Sequence, residues 1–280
     1  MSGLRNLITP EAIRLDVTAK TWREAIRAAG QLLTDSAAAG QSYTEAMITV
    51  VEEHGPYIVI APGFALAHAR PDDSVKSTAM SFIRLKDPVM FGHSSNDPVR
   101  LVVALSAKDS DAHRQALASL ASLLGDQGRR RVLEHSASTQ EVLDVLTTPP
   151  GQSHSHRAED AEESRSVRSP QDLEQEATGS AETVPSKKLI LTVCGNGLGT
   201  SLFLKNTADQ VLERWGWSPY LRVEATDTIS AKGRAGEADF LLTSEAIAQT
   251  LGDVGVPVEV IENFTSQEEI DAVLRRLYDV

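Results

Sequence analysis

The sequence predicts an α/β protein of two domains joined by a linker, and three observations lead to this fold class. From about residue 187 to the end of the 280-residue chain, apolar runs alternate with helical stretches, as in a doubly wound parallel sheet. The first half mixes strand-like runs with capped helices, which predicts a mixed sheet. Residues 149–186 are polar and acidic and nearly lack branched apolar side chains. We therefore expect domains at 1–148 and 187–280, with a flexible acidic linker over 149–186.

Composition limits the classes of function. The formal net charge of −12 argues against a partner with a phosphate backbone, so we expect no nucleic acid. No apolar run reaches the roughly 18 residues of a membrane span, and the first residues lack the apolar stretch of a signal peptide, so we expect a cytoplasmic protein. The single cysteine cannot form an intramolecular disulfide. We expect neither a metal nor a cofactor.

The start of the first domain shows strand and helix signals in turn. Apolar residues alternate with charged or polar ones over 13–17, which predicts a strand. Thr21 and Glu24 fit a capping box at the start of a helix, and Ser42 and Glu45 fit a second one. Two amphipathic helices are therefore expected before the first dense apolar run.

The rest of the first domain contains apolar runs followed by helical periodicity. The runs predict strands, and the periodic stretches predict helices packed around the sheet. The strands are expected at 57–61, 80–85 and 99–105, and the helices at 111–124 and 127–146.

The second domain is more regular, and its order predicts four parallel strands with helices on both faces. Strands are expected at 189–193, 221–223, 240–242 and 256–261, and helices at about 200–215, 244–251 and 266–278.

Cys194 lies where the first of these strands meets a glycine-rich turn, at the edge of the sheet where functional crevices form. The glycines let backbone N–H groups point inward, and the following helix directs its positive end at the same place. A thiol there is expected to have a pKa lowered to roughly 3.5–7.5 and to act as a thiolate nucleophile. The predicted phosphate-binding residues are Gly195, Asn196, Gly197, Leu198, Gly199, Thr200 and Ser201.

Two other interpretations of Cys194 stay open at this point. A free cysteine is often a small buried apolar residue. Low-molecular-weight tyrosine phosphatases also begin their catalytic loop with a cysteine after the first strand, and they place an arginine six residues later. Here Thr200 and Ser201 stand at the matching positions, so the guanidinium that would bind a phosphate dianion is missing. Hydrolase chemistry is therefore disfavoured.

The second domain resembles a known family in three stretches, VCGNGLGTS, TDTISAKGRAGEADFLLTSEAIA and VPVEVIENF. It is similar to the enzyme IIB component of the bacterial phosphoenolpyruvate-dependent sugar phosphotransferase system, in its ascorbate branch. The resemblance covers most of residues 187–280 and implies that Cys194 is the phosphorylated residue.

The first domain resembles the enzyme IIA component of the same branch, in GPYIVIAPGFALAHARPDDSV and FIRLKDPVMFGHSSNDPVRLVVAL. The resemblance implies that His68 is phosphorylated, and that His113 supports it as a second histidine. Arg70 is a candidate for pairing with phosphate oxygens. Without the resemblance, a structural histidine at position 68 is at least as plausible. An imidazole with a pKa near 6.5 suits the task because its neutral form is nucleophilic.

Together the two resemblances imply a phosphohistidine and phosphocysteine relay with sugar phosphotransferase activity. The carrier protein HPr would phosphorylate His68, Cys194 would receive the group, and a sugar bound to a separate membrane enzyme IIC, L-ascorbate by resemblance, would accept it. The protein would then associate peripherally with that membrane component. A regulatory phosphosensor of the same system and a phosphatase-like hydrolase are the alternatives. The oligomeric state, a homodimer included, stays open.

Overall fold

The computed structural model describes residues 4–124, 126–148, 186–194 and 200–279. These residues form two sheets with helices around them, as the sequence predicts. The predicted linker lies outside the described residues except for Ser186, and so does the run from Gly195 to Gly199. No helix among the described residues has the length and apolar character needed to cross a membrane.

The first sheet is mixed and has five strands in the order β1-β4-β5-β3-β2. β4 pairs antiparallel with β5, which in turn pairs parallel with β3, and β2 forms an edge of the sheet. The predicted run at 57–61 yields the short β2, and the sequence analysis missed β3. The strands are β1 (Ile13–Val17), β2 (Val59–Ala61), β3 (Phe64–Ala67), β4 (Ala79–Val89) and β5 (Val99–Ser106).

Five α-helices of the described part of the chain accompany this sheet, and their caps test the predictions. The Thr21 side chain accepts a hydrogen bond from the Glu24 amide at 3.2 Å, so the first cap is confirmed. The second capping box is wrong: Gly40 precedes the helix, and Glu45 pairs with Arg27 across the two helices instead. The helices are α1 (Trp22–Asp35), α2 (Gln41–His54), α3 (Ser110–Leu124), α4 (Gln127–His135) and α5 (Thr139–Thr147).

The single helix expected at 127–146 is two helices, α4 and α5. Ser138 has extended backbone geometry, and its hydroxyl caps α5 by accepting from the Glu141 amide at 3.3 Å. The backbone leaves the helix at Ser136, the C-cap of α4, and the Ser138 cap starts the next helix. The apolar periodicity of the sequence continues across this break, so the pattern predicted one helix where there are two.

The second sheet is all parallel with the order β7-β6-β8-β9. β6 is central and fully buried, and its last residue is Cys194. α7, a short helix capped by the Asp227 carboxylate, was not predicted from the sequence. The elements are β6 (Leu189–Cys194), α6 (Ser201–Trp215), β7 (Arg222–Asp227), α7 (Thr228–Arg234), β8 (Phe240–Thr243), α8 (Glu245–Leu251), β9 (Val258–Val260) and α9 (Gln267–Tyr278).

The two domains are docked against each other, which the sequence did not indicate. Helix α3 of the first domain packs against α6 of the second. Buried apolar residues of both domains, including Ile60, Phe64, Phe203 and Phe264, form one continuous cluster. Burial of one such side chain contributes about 1.5–3 kcal/mol, so the shared cluster stabilises the docked arrangement.

Candidate functional site

His68 follows the last residue of β3 and is only 4% exposed. Its Nδ1 lies 3.0 Å from the carbonyl oxygen of Leu66. A carbonyl oxygen can only accept, so Nδ1 carries the proton and donates it there. The ring nitrogen that keeps a lone pair in the neutral imidazole is therefore Nε2.

Burial lowers the pKa of His68, and the hydrogen bond to Leu66 opposes this shift to a smaller extent. The imidazole is therefore neutral at physiological pH. A neutral imidazole is the nucleophilic form, so burial favours reactivity at this residue.

Tyr43 holds the segment that follows His68. Its hydroxyl lies 2.8 Å from the carbonyl oxygen of Leu105 and 3.0 Å from that of Ala69, and it accepts from the Ala69 amide at 3.2 Å. Burial raises the pKa of Tyr43 to about 12, so the hydroxyl keeps its proton for these bonds. This contact ties α2, β5 and the residue next to His68 together.

Cys194 ends β6 and is 3% exposed. Its sulfur lies 3.3 Å from the Ser201 hydroxyl oxygen in the first turn of α6, and 3.9 Å from the carbonyl oxygen of Thr226 in β7. Thr200 and Ser201, two of the predicted phosphate-binding residues, are buried beside it. The structure therefore places the thiol against the start of α6, as expected.

The expected thiolate is not what the docked structure favours. Burial raises the pKa of Cys194, and hydrogen bonds with Ser201 and Thr200 lower it by less. The sequence around Cys194 indicates the helix start but not the desolvation of the thiol. Lys205, about one turn further along α6, pairs with Asp209 on its own helix.

Tyr57 connects the two candidate residues, and the sequence analysis gave it no role. Its ring meets the His68 ring edge-on, with 5.8 Å between the centroids. Burial raises the pKa of Tyr57, and the negative charge of a Cys194 thiolate raises it further. Tyr57 therefore contacts His68 and interacts electrostatically with Cys194 across the boundary between the domains.

Fewer contacts are described for the remaining predicted site residues. Arg70 is exposed two residues after His68. His113 belongs to α3, but its side chain lies outside the described part of the chain. The glycine-rich turn, which contains Gly195, Asn196, Gly197, Leu198 and Gly199, also lies outside it. Among the described residues, no cluster of acidic, histidine or cysteine side chains is arranged to hold a metal ion.

A cavity of about 220 Å³ opens between the domains next to Tyr57. His93 of the first domain lines it opposite Glu245 and Glu262 of the second. Burial lowers the pKa of His93, and the acidic groups Asp97, Glu262 and Glu245 act against that shift. A histidine of the first domain therefore meets acidic groups of the second at this cavity.

Comparison with known families assigns each half of the chain separately. The family described as phosphoenolpyruvate-dependent sugar phosphotransferase system, EIIA 2, matches residues 6–148. The family described as PTS system, lactose/cellobiose specific IIB subunit, matches residues 189–276. The second match is not to an ascorbate-specific family, so the ascorbate branch is supported by relatives of the first half alone.

Relatives of the first half include the ascorbate-specific PTS system EIIA component of Escherichia coli K12, 36% identical over 142 residues, which are 50% of this chain and 92% of that protein. The corresponding protein of Shigella boydii is 34% identical over 142 residues, which again are 50% of this chain and 92% of that protein. The solution structure of the mannitol-specific cryptic phosphotransferase enzyme IIA CmtB from Escherichia coli is 31% identical, with a TM-score of 0.48. That match covers 52% of this chain and 99% of the other.

Proposed function

The chain belongs to the EIIA 2 family of the phosphoenolpyruvate-dependent sugar phosphotransferase system, and we propose that it is a two-site phosphocarrier. In this proposal HPr phosphorylates His68, His68 passes the phosphoryl group to Cys194, and Cys194 donates it to a sugar. The sugar is held by a separate membrane enzyme IIC. The carrier works in the cytoplasm, with a phosphohistidine domain at 1–148, a linker at 149–186 and a phosphocysteine domain at 187–280.

The interactions of Tyr57 carry this proposal. A relay needs its two sites close together and correctly oriented. The Tyr57 ring contacts that of His68 and interacts electrostatically with Cys194, and the two domains share one apolar cluster, which supports transfer between the two residues. The match of the second half to an EIIB family supports the same order of transfer.

The first step uses the lone pair of Nε2. This nitrogen attacks the phosphorus of the donor, and the donor's bond to phosphorus breaks with its electron pair remaining on the donor. Nδ1 keeps its proton, which Leu66 accepts as a hydrogen bond. That bond stabilises the positive charge that the phosphorylated ring acquires.

The second step transfers the group to sulfur. The Cys194 thiol loses its proton to solvent, and the thiolate attacks phosphorus in line with the bond to Nε2. The N–P bond breaks, and its electron pair returns to Nε2, which leaves a neutral imidazole. Catalysis of such a transfer rests on positioning and charge stabilisation. Thr200 and Ser201 at the start of α6, together with Gly195, Asn196, Gly197, Leu198 and Gly199, are the proposed phosphate-binding residues.

The proposed sugar is L-ascorbate. The first half resembles ascorbate-specific EIIA components, whereas the second half matches a family named for lactose and cellobiose. The sugar is therefore proposed from one half of the chain. Transfer of label from the phosphorylated carrier to ascorbate, lactose or cellobiose, in membranes containing the cognate enzyme IIC, distinguishes the three.

Phosphorylation in vitro tests the relay. Wild type, His68→Ala and Cys194→Ser are incubated with phosphoenolpyruvate, enzyme I and HPr, and intact mass and acid lability are measured. We expect two phosphorylated sites in wild type, one acid-labile site in Cys194→Ser and none in His68→Ala. Phosphorylation of His68→Ala by HPr would show that the entry site is elsewhere. An assay with an aryl phosphate tests the hydrolase alternative.

A further inference from the structure

The outer edge of β2 is covered by a short segment of the second domain. We call residues 262–264 the docking loop. The Phe264 amide donates a hydrogen bond to the carbonyl oxygen of Ile60 at 3.0 Å. An edge strand exposes unpaired backbone groups that another segment can pair with. The docking loop uses one of these groups on β2.

Asn96 bonds both domains at this contact. It is 2% exposed, and its Nδ2 lies 3.1 Å from the carbonyl oxygen of Val59 and 2.8 Å from that of Glu262. Two carbonyl oxygens can only accept, so the amide nitrogen must face them. The two shortest contacts of this nitrogen therefore join the two domains, and a longer one, 3.4 Å to Nε2 of His93, stays within the first domain.

The first domain fixes Asn96 by its own contacts. The backbone N–H of Asn96 donates to Nδ1 of His93 at 3.2 Å. The backbone carbonyl oxygen of Asn96 accepts from the Gly63 amide at 2.7 Å. The Asp97 carboxylate accepts from the backbone amides of residues 91–93, which shapes the same loop. The donor is thus set in place before the second domain docks.

The docking loop is connected to the cysteine through α6. The hydroxyl of Thr207, in α6, donates to the carbonyl oxygen of Phe264 at 2.7 Å. The first residue of the same helix, Ser201, contacts the sulfur of Cys194. Fixing the docking loop therefore also fixes the end of α6 that touches the thiol.

We propose that Asn96 is a positioning residue that clamps the docking loop to β2 and so holds Cys194 in place to receive the phosphoryl group from His68. This proposal rests on the proposed relay. In the clamped state His68 and Cys194 are 4% and 3% exposed, so HPr cannot reach His68. The clamp therefore serves the second transfer and not the first.

Asn96→Asp tests the clamp with an almost unchanged shape. The carboxylate presents oxygens to two carbonyl oxygens, which removes both hydrogen bonds and adds repulsion. The control is Asn6→Asp, which makes the same chemical exchange at an exposed position of the first domain. Both are phosphorylated through HPr and quenched at short times. Intact mass then reports the first step, and acid lability reports the second.

We expect Asn96→Asp to slow the transfer from His68 to Cys194 at least tenfold, while the first step is not slowed, because opening the clamp exposes His68 to HPr. Asn6→Asp should match wild type in both steps. A merely structural role would slow both steps together. An unchanged second step in Asn96→Asp would overturn the proposal. If the first step and the circular dichroism spectrum show that Asn96→Asp is unfolded, Asn96→Ala is measured in the same way.

Hydrogen exchange separates a failure of the clamp from a failure of the relay. The Phe264 amide should be protected in wild type and Asn6→Asp, and it should exchange at least tenfold faster in Asn96→Asp. If His68 takes no phosphate in wild type, the relay is wrong, and the exchange result alone decides the clamp. Equal exchange in Asn96→Asp and Asn6→Asp contradicts the clamp, even where phosphate moves as proposed.

Discussion

His68 and Cys194 are buried to nearly the same degree, yet burial has opposite consequences for them. Desolvation favours the uncharged form of each side chain, so it lowers the pKa of His68 and raises that of Cys194. The uncharged imidazole is the nucleophile, whereas the uncharged thiol is not. In the proposed relay, the docked arrangement therefore holds His68 in its nucleophilic form and Cys194 in its less reactive form.

This difference assigns separate tasks to the surroundings of the two residues. At His68 it is enough to hold the proton on Nδ1, which Leu66 does. At Cys194 the surroundings must also stabilise negative charge when the proton leaves, and the contacts with Thr200 and Ser201 act in that direction. Loss of the thiol proton should therefore limit the second transfer.

The largest predicted effect is a difference in pH dependence between the two steps. Because the pKa of Cys194 is raised from 9.0, the thiolate fraction at pH 7 is small and grows about tenfold per pH unit. The second step should accelerate about 100-fold between pH 7 and pH 9. The first step should change less than about threefold, because His68 is already neutral. Rapid quench at several pH values measures both steps.

The control for this prediction is Cys194→Ser, in which only the first step remains. Its phosphorylation rate should follow that of the wild-type first step at every pH. A second step that is as flat as the first would contradict the idea that burial withholds the thiolate.

A smaller effect is expected when the supports of the two sites are removed. Tyr43→Phe leaves buried backbone groups of Ala69 and Leu105 without their partner and should lower the free energy of unfolding by about 1–3 kcal/mol. Thr243 donates a hydrogen bond of 2.8 Å to the carbonyl oxygen of Val193, the residue before Cys194. Thr243→Val removes this bond and should lower the free energy of unfolding by about 1 kcal/mol. Denaturant unfolding measures both. A larger loss of unfolding free energy in Thr243→Val than in Tyr43→Phe would contradict this prediction.

The smallest predicted effect is on the pH dependence of stability. The unfolded chain binds a proton at His68 below pH 6.5 more readily than the folded chain, so stability from this residue falls as the pH drops below that value. The folded pKa of Cys194 lies above 9.0, so its contribution falls as the pH rises past 9.0. For each residue, the free energy of unfolding changes by at most about 1.4 kcal/mol per pH unit.

Unfolding curves of His68→Gln and Cys194→Ser measure these slopes. The first variant should flatten the acid side of the stability profile and the second the alkaline side. Flattening on the opposite side in either variant would show that the direction of its pKa shift is wrong.

The second domain was the more predictable one. Four apolar runs with intervening helices were enough to predict its parallel sheet, and the position of Cys194 at the end of β6 followed from them. The short α7 was missed because its sequence has little apolar periodicity, although Asp227 caps the helix. The direction of the Cys194 pKa shift was wrong, because desolvation depends on contacts that are distant in sequence.

The first domain was predicted less completely. The resemblance pointed to His68, but residues alone left a structural histidine equally plausible. Its proton on Nδ1 depends on the bend that brings the ring back to Leu66, and sequence patterns do not encode that bend. Tyr57 interacts with Cys194, and Asn96 with Glu262, only when the second domain docks. A motif search cannot detect contacts between residues that are more than 100 positions apart.

The most direct test of the relay compares transfer within one chain with transfer between chains. Wild-type protein phosphorylated at His68 is diluted over a hundredfold range, and its rate of transfer to Cys194 is compared with that in a mixture of Cys194→Ser and His68→Ala. We predict that the wild-type rate is independent of concentration, whereas the rate in the mixture falls in proportion to dilution. A wild-type rate that falls in the same proportion would contradict transfer from His68 to Cys194 of the same chain.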